Sequence, residues 1–475
     1  MRSQTKGFGP FRPSHGGGDA MRGQTKRQYG WLLLPILAVL ALMAAACGND
    51  DDQDAPAAET PAAETPADDQ TAAETDEAPA DDQVDLGSIE VGHYFGSDLG
   101  QQAIIAINET FTEGEVSISP IEHEAFKDQI LVALAGGQPP DVFSYWAGAR
   151  TASVQSSGYL QPITAAFDGA DVWGNFPQAL IDAGIHDGDP YLLPFGFHYV
   201  AFFYNPKVMA DAGVTEMPST WDELITAADQ IAATGVKPFA LGSMNRWPAQ
   251  FWFDFLMLRT AGPDYRAKLM SGEASYEDPE VTAVLERWKG LVDAGYFTDD
   301  ANAFDWNEAA DAVANGEAAM TLMGTWITGY WDGNDLTPVD DYDFFNFPVI
   351  DPAVENAALG PIDGWVVAAD AANPEGAFAL LEHYASPDNQ LDWAIGQGAL
   401  PPNANADTSQ LNPVMQKALT EVGRADSYSF NYDLATPPAV AEFGLDMFQA
   451  FMDSPSNYAD LQAVTQSDAA EAFSG

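Results

Sequence analysis

Ala201-Phe-Phe-Tyr204-Asn-Pro-Lys-Val-Met209, then Pro218-Ser-Thr-Trp-Asp-Glu-Leu224, then Pro238-Phe-Ala-Leu241, give a short apolar segment, a helix start and a second short apolar segment. The Thr220 side chain can accept from the N–H three residues on while Glu223 reaches back, a capping box, and Gly235 is placed to close the helix. The same punctuation continues downstream. Pro248 suits the first turn of a helix ending near Gly262. Asp278-Pro-Glu280 opens another, through Leu285 and Trp288 to Gly295. Asp305, with Glu308 three residues on, opens one toward Gly316, and Asn373-Pro-Glu375 opens one through Phe378 and Leu381. Apolar segments 318–322 and 364–368 read as strands. Helices of about 10–15 residues alternating with short apolar strands predict an α/β fold. There is no repeat of solenoid period.

The folded body, from about residue 86 to 475, exceeds the size at which one core stops growing, so two lobes are expected. The chain carries 18 Lys+Arg against 71 Asp+Glu, a formal net charge of −53. That surface argues against nucleic acid, because phosphate attraction needs lysine and arginine. Cys47 is the one cysteine, so no intramolecular disulfide forms. Lys26 and Arg27 precede an apolar run from Trp31 to Met43, then Ala44-Ala-Ala46 and Cys47. Basic, apolar, then small is the layout of a secretory signal segment. The run has 13 residues, short of the ~20 that span a bilayer. We read 1–47 as an export signal with Cys47 as the lipid attachment site; plain cleavage after Ala-x-Ala is the other reading. Met1-Arg-Ser-Gln-Thr-Lys is echoed from Met21, an alternative start. Residues 48–85 are rich in Ala, Pro, Glu, Asp and Thr and are expected to form a disordered, extended tether.

Enzyme signatures are missing: no Gly-x-Ser-x-Gly, no Walker loop, no His-Glu-x-x-His. Carboxylates are too numerous for any pair to mark a catalytic site, and a glycosidase using two of them stays open. No metal-ligand spacing is evident. What stands out is aromatics beside turns: Trp146, His198 with Tyr199, Asn245-Arg246-Trp247, Trp326 and Trp365. An indole face with hydrogen-bonding side chains around it suits a sugar, which has an apolar face of C–H groups and a rim of hydroxyls. Trp221, Trp252, Trp288 and Trp393 fall within helical patterns and are assigned to packing.

The segment Tyr191–Met209 with its Tyr204-Asn205, Pro218-Ser-Thr-Trp-Asp-Glu, Asn315-Gly-Glu-Ala-Ala-Met320, Gly324-Thr-Trp326 and Gln138-Pro-Pro-Asp141-Val-Phe together resemble the family 1 extracellular solute-binding proteins, the maltose-binding protein family. These are carbohydrate-specific binding components of ABC importers. The resemblance covers nearly the whole body. It implies a two-lobed periplasmic-binding-protein-like fold (type II), with hinge strands and an interlobe cleft. One lobe would hold 86–196 and 348–402, the other 199–345 and 405–475. It also implies a sugar, expected to be an oligosaccharide, as ligand, permease subunits as partners, a monomer, and neither cofactor nor catalysis. Trp146 and Arg150 resemble the first-lobe stacking and hydrogen-bonding pair, Trp247 and Trp326 second-lobe platforms, and Asp98 a first-loop contact. His198 falls where a family member has a carboxylate, and Asp363 and Trp365 follow the late strand. With Tyr199, Asn245 and Arg246 these are the expected ligand contacts. Two further readings remain: a secreted carbohydrate-active enzyme, and a receptor for an anionic solute such as a uronic acid held by Arg150 and Arg246.

Overall fold

Val200–Tyr204, with sequence Val-Ala-Phe-Phe-Tyr, is buried along its length and forms an inner strand of one sheet. Aromatic and β-branched side chains fit a pleated surface covered on both faces. The computed structural model describes residues 85–167 and 172–474. The signal segment, Cys47 and residues 48–84 lie outside the described residues. The described chain is a two-lobed α/β fold built on two sheets.

In the second sheet, Val200–Tyr204 pairs antiparallel with Ala318–Gly324 and with Asp343–Phe345, and Lys237–Ala240 joins Ala318–Gly324 in parallel. The helices around it start where the sequence places their caps. Trp221–Ala233 and Trp306–Ala314 each begin with a complete capping box, at Thr220/Glu223 and Asp305/Glu308. Trp247–Thr260 is buried along almost its whole length, its polar Gln250, Asp254 and Arg259 included. It packs between the strand Ala318–Gly324 and the helices Pro279–Asp293 and Pro438–Asp453. Trp252, Trp288 and Trp393 are fully buried.

In the first sheet, Ser88–His93 lies between Glu115–Pro120 and Val142–Trp146, parallel to both. Ile362–Ala368 runs antiparallel to Val142–Trp146 and also pairs with Leu193–Phe197 and Leu160–Gln161. The helices Asp98–Glu109 and Pro387–Gln397 pack on each other in this lobe, and Pro374–Tyr384 packs on Ile362–Ala368. Among the described residues no helix is long and apolar enough to cross a membrane.

The chain passes from the first sheet to the second through His198 and Tyr199. This crossing is bonded on both sides. Phe197 exchanges backbone hydrogen bonds with Leu400 at 3.0 and 2.8 Å, and the His198 N–H donates to Pro361 O at 3.0 Å. The Thr325 N–H donates to Tyr199 O at 3.0 Å, and the Tyr428 hydroxyl donates to His198 O at 2.6 Å. Gly360 lies so close beneath that a Cβ there would meet His198 O at 1.9 Å.

One buried ion pair anchors the second lobe. Arg266 donates from Nε and Nη2 to Asp254 Oδ1 at 2.9 and 2.6 Å, and from Nη2 to Phe430 O at 2.7 Å. The Tyr432 N–H donates to Asp254 Oδ2 at 2.8 Å. Three separate stretches of chain thus meet at one carboxylate.

Candidate ligand cleft

The crossing segment also forms the floor of a cavity of ≈ 570 Å³, well inside the ~300–1,000 Å³ range of small-molecule sites. Its polar floor centres on Asp363. The Tyr94 hydroxyl donates to Asp363 Oδ1 at 2.7 Å, and His198 Nε2 faces Asp363 Oδ2 at 3.1 Å. His198 Nδ1 faces the Thr325 hydroxyl at 3.0 Å. Burial, with the Asp363 carboxylate beside it, pushes the Tyr94 hydroxyl well above its ordinary value. Tyr94 therefore stays a protonated donor at physiological pH.

Aromatic walls rise from this floor. Trp326 opens the helix Trp326–Gly333 directly after the strand Ala318–Gly324. Its indole folds back over Gly324, where a Cβ would meet Cζ3 at 1.9 Å, so the wall requires glycine. The ring lies 5.2 Å from His198, 5.9 Å from Trp247 and 6.0 Å from Phe251, centroid to centroid. Trp247 opens its helix next to Arg246, whose positive φ of 65° turns the chain sharply. On the facing wall Trp146 stacks on Tyr94 at 4.2 Å and 17°, and the Arg150 guanidinium sits 5.3 Å from the ring. Trp146 is 7% exposed, so it offers the cavity an edge more than a face.

Two polar contacts cross between the walls. Trp247 Nε1 donates to Glu124 Oε1 at 3.2 Å, and Arg150 Nη2 donates to Asp433 Oδ2 at 3.2 Å. Burial would raise the Glu124 carboxyl, but the hydrogen bond from His123 and the charge of Lys127 outweigh it and hold it down at about 2. Glu124 is therefore a carboxylate at physiological pH, able to accept from Trp247.

Of the sequence-expected contacts, the cavity brings together Trp146, Arg150, His198, Trp247, Trp326 and Asp363. It does not take in the other five. Asp98 is exposed at the first turn of its helix. Tyr199 follows His198 in extended backbone, where successive side chains point to opposite faces; its hydroxyl donates to Asn346 Oδ1 at 2.9 Å. Asn245 donates to Asp305 Oδ1 at 3.3 Å. Arg246 pairs with Glu442 and Asp446 at 2.6 and 2.7 Å, away from the cavity. Trp365 is buried against Phe95, Phe195 and Tyr384. Sequence reasoning missed Tyr94, His123, Gln250, Trp306, Tyr330, Asn431 and Asp433, which also line the cavity. Tyr94-Phe95-Gly96-Ser97 carried a signal, as an aromatic pair beside a glycine. The others sit within helices or a late loop with no local mark. Among the described residues no group of three or more His, Cys, Asp or Glu is arranged to hold a metal.

The family model for bacterial extracellular solute-binding proteins matches residues 96–391. An ABC transporter extracellular-binding protein of Pyrococcus horikoshii is 30% identical over 296 residues, 62% of this chain and 65% of that protein; the match thus spans just under two thirds of the relative. A probable sugar-binding periplasmic protein of Mesorhizobium japonicum is 25% identical over 413 residues, 83% of this chain and 96% of that one. Among solved structures, the bacterial solute receptor AcbH, described as having an exclusive preference for β-D-galactopyranose, is 27% identical with a TM-score of 0.74. It is matched over 82% of this chain and 100% of its own. A chitin oligosaccharide binding protein shares the fold at 24% identity and a TM-score of 0.74, over 82% of this chain and 99% of that one.

Proposed function

The chain belongs to the bacterial extracellular solute-binding protein family, and on that premise we propose that it is the extracytoplasmic sugar receptor of an ABC importer. The observation that carries this reading is the cleft itself. Aromatic walls from both lobes enclose a hydrogen-bonding floor laid on the segment that joins the lobes. We assign 86–196 and 348–402 to one lobe and 199–345 and 405–475 to the other; the strands of the two larger sheets divide this way, the helix Pro438–Asp453 packs on Trp247–Thr260, and the pair Ala357–Leu359 with Ser427–Ser429 bridges the division. A ligand that touches both walls binds the closed arrangement better than the open one and shifts the population toward it. The closed form then docks on permease subunits, with no bond made or broken.

The cavity carboxylates support binding over catalysis. Asp363 accepts from Tyr94 and faces His198, and Asp433 accepts from Arg150. Glu122 and Asp305 cap helices through their side chains. A glycosidase needs one carboxyl free as acid and a second free as base or nucleophile. An anionic ligand is also disfavoured, because the cavity's cations are already paired, Arg150 with Asp433 and Lys127 with Glu124, and Arg246 lies outside. The ligand is therefore a neutral sugar. In a thermal-shift screen with neutral mono- and oligosaccharides, at least one is expected to raise the melting point by mass action, with no product after prolonged incubation. Turnover of the bound sugar, or no shift with any of them, would overturn the reading.

The receptor works as a monomer, held at the membrane by a lipid on Cys47, with 48–85 as tether raising its local concentration near the permease. Cys47→Ser is expected to move the protein from the membrane fraction to the soluble extracytoplasmic fraction. Continued co-sedimentation with membranes would point to a different anchor.

A further inference from the structure

Arg259 lies in the last turn of the buried helix Trp247–Thr260 and is itself 4% exposed. Six arginines fall among the described residues. Four of them, Arg150, Arg246, Arg266 and Arg424, face carboxylates in ion pairs. Arg287 has the Asp222 charge near it. Arg259 has neither. Its Nε and Nη1 are buried with no hydrogen-bond partner among the described residues, and so is Oγ1 of Thr260, next in sequence. The guanidinium stands over the Phe255 ring, 5.2 Å from its centroid. Phe255 in turn stacks on Phe347 at 4.8 Å and 6°.

Among the described residues the ionisable group that acts on Arg259 is the Tyr199 phenol. Burial pushes that phenol well above its ordinary value, against the pull of Arg259, so it stays uncharged. Its hydroxyl donates to Asn346 Oδ1 at 2.9 Å. Glu421, which accepts from Asn346 Nδ2 at 2.5 Å, is committed on its other oxygen to Arg424 Nη1 at 2.6 Å. None of these groups supplies Arg259 with negative charge. An arginine cannot escape the cost of burial by losing its proton, and a buried charge without a partner is strongly unfavourable. The carbonyls of the last helical turn and the Phe255 face offset part of the charge, but neither accepts from Nε or Nη1. Water would satisfy the N–H groups and leave the charge. What completes the site is an acceptor that is also an anion. With the side chain 4% exposed and walled by rings, that anion has to be small.

We propose that the Arg259 guanidinium, between Phe255 and Tyr199, is a buried site for a halide ion, chloride in a saline medium. Arg259, Phe255, Tyr199 and Asn346 line no part of the cleft, so the ion and the cleft ligand bind separately. Tyr199 belongs to the segment that joins the lobes, and the ion sits behind that segment.

The test is the melting point of the full chain as sodium chloride replaces sodium methanesulfonate at constant ionic strength. A halide that binds the folded state alone is expected to raise the midpoint by about 2–4 °C across the series. Arg259→Met, similar in length but uncharged, is expected to melt at one temperature throughout. In crystals grown with bromide in place of chloride, anomalous scattering is expected to place a bromide beside Arg259 Nε or Nη1. Should Arg259→Met fail to fold, the wild-type series and the bromide position decide. A flat wild-type series overturns the site, as does a slope kept in Arg259→Met. Bromide found only elsewhere on the protein is an adventitious ion only, and also overturns it.

Discussion

Trp326→Ala is expected to weaken sugar binding by about 2–3 kcal/mol, a loss of roughly 30- to 150-fold in affinity, as for a central aromatic anchor. The indole is partly exposed to the cavity and held in one orientation by Gly324 beneath it and by His198, Phe251 and Trp247 around it. A platform already fixed in place costs little entropy when the ligand arrives. The fold is expected to survive, since truncation opens space onto the cleft and not within a core. Trp146→Ala should behave differently. That ring supports Tyr94 and Arg150, so its loss lowers the melting point as well as the affinity. Titration calorimetry beside thermal melting separates the two outcomes. Unchanged affinity in Trp326→Ala would remove Trp326 from the binding surface.

Arg266→Ala is expected to lower the unfolding free energy by about 3–5 kcal/mol, because it leaves the Asp254 carboxylate buried without its partner. Asp254 is fully buried. Burial pushes its carboxyl up, Arg266 and the Tyr432 N–H pull it down, and burial prevails, leaving it at about 6. The folded chain thus takes up this proton at higher pH than the unfolded chain, whose carboxyl titrates near 3.8. This group's contribution to stability accordingly grows as pH falls from about 6 toward 4, and the cost of a charged Asp254 is felt above 6. Without Arg266 the carboxyl moves further up, so the variant's deficit should be largest near neutral pH and shrink on acidification. Denaturant unfolding at pH 7.5 and pH 5 checks this. An equal deficit at both pH values would mean that Arg266 acts through packing and not through charge.

Much of the second lobe was legible because its helices announce themselves locally. Thr220 with Glu223 and Asp305 with Glu308 satisfy their own first-turn N–H groups, and that chemistry needs no distant residue. The strands 200–204 and 318–324 were legible because burial on both faces leaves uninterrupted apolar runs. The walls of the cleft were half legible. Trp247 and Trp326 stand at the starts of helices, where a large ring beside a turn has no helical stripe to join. Tyr199 and His198 could not be told apart by type; alternation along the crossing segment sends one to the cleft and the other to Asn346. Arg246 was misplaced for a reason no local window contains: its acidic partners, Glu442 and Asp446, arrive from a helix about 200 residues away. Asp433 and Asn431 were silent for the same kind of reason. They reach the cavity because the chain returns late to lie against the helix Trp247–Thr260.

On the reading proposed above, the short passage through His198 and Tyr199 serves at once as the axle of the molecule and the bed on which its cargo rests. A substitution at His198 therefore alters grip and travel together, and neither can be tuned there alone. The walls are free of that constraint. Trp247, Trp326 and Trp306 stand at the starts of helices outside that passage, so they can be exchanged for other side chains while the axle stays as it is. Change of diet in such a receptor belongs on its walls, and change of gait at its floor.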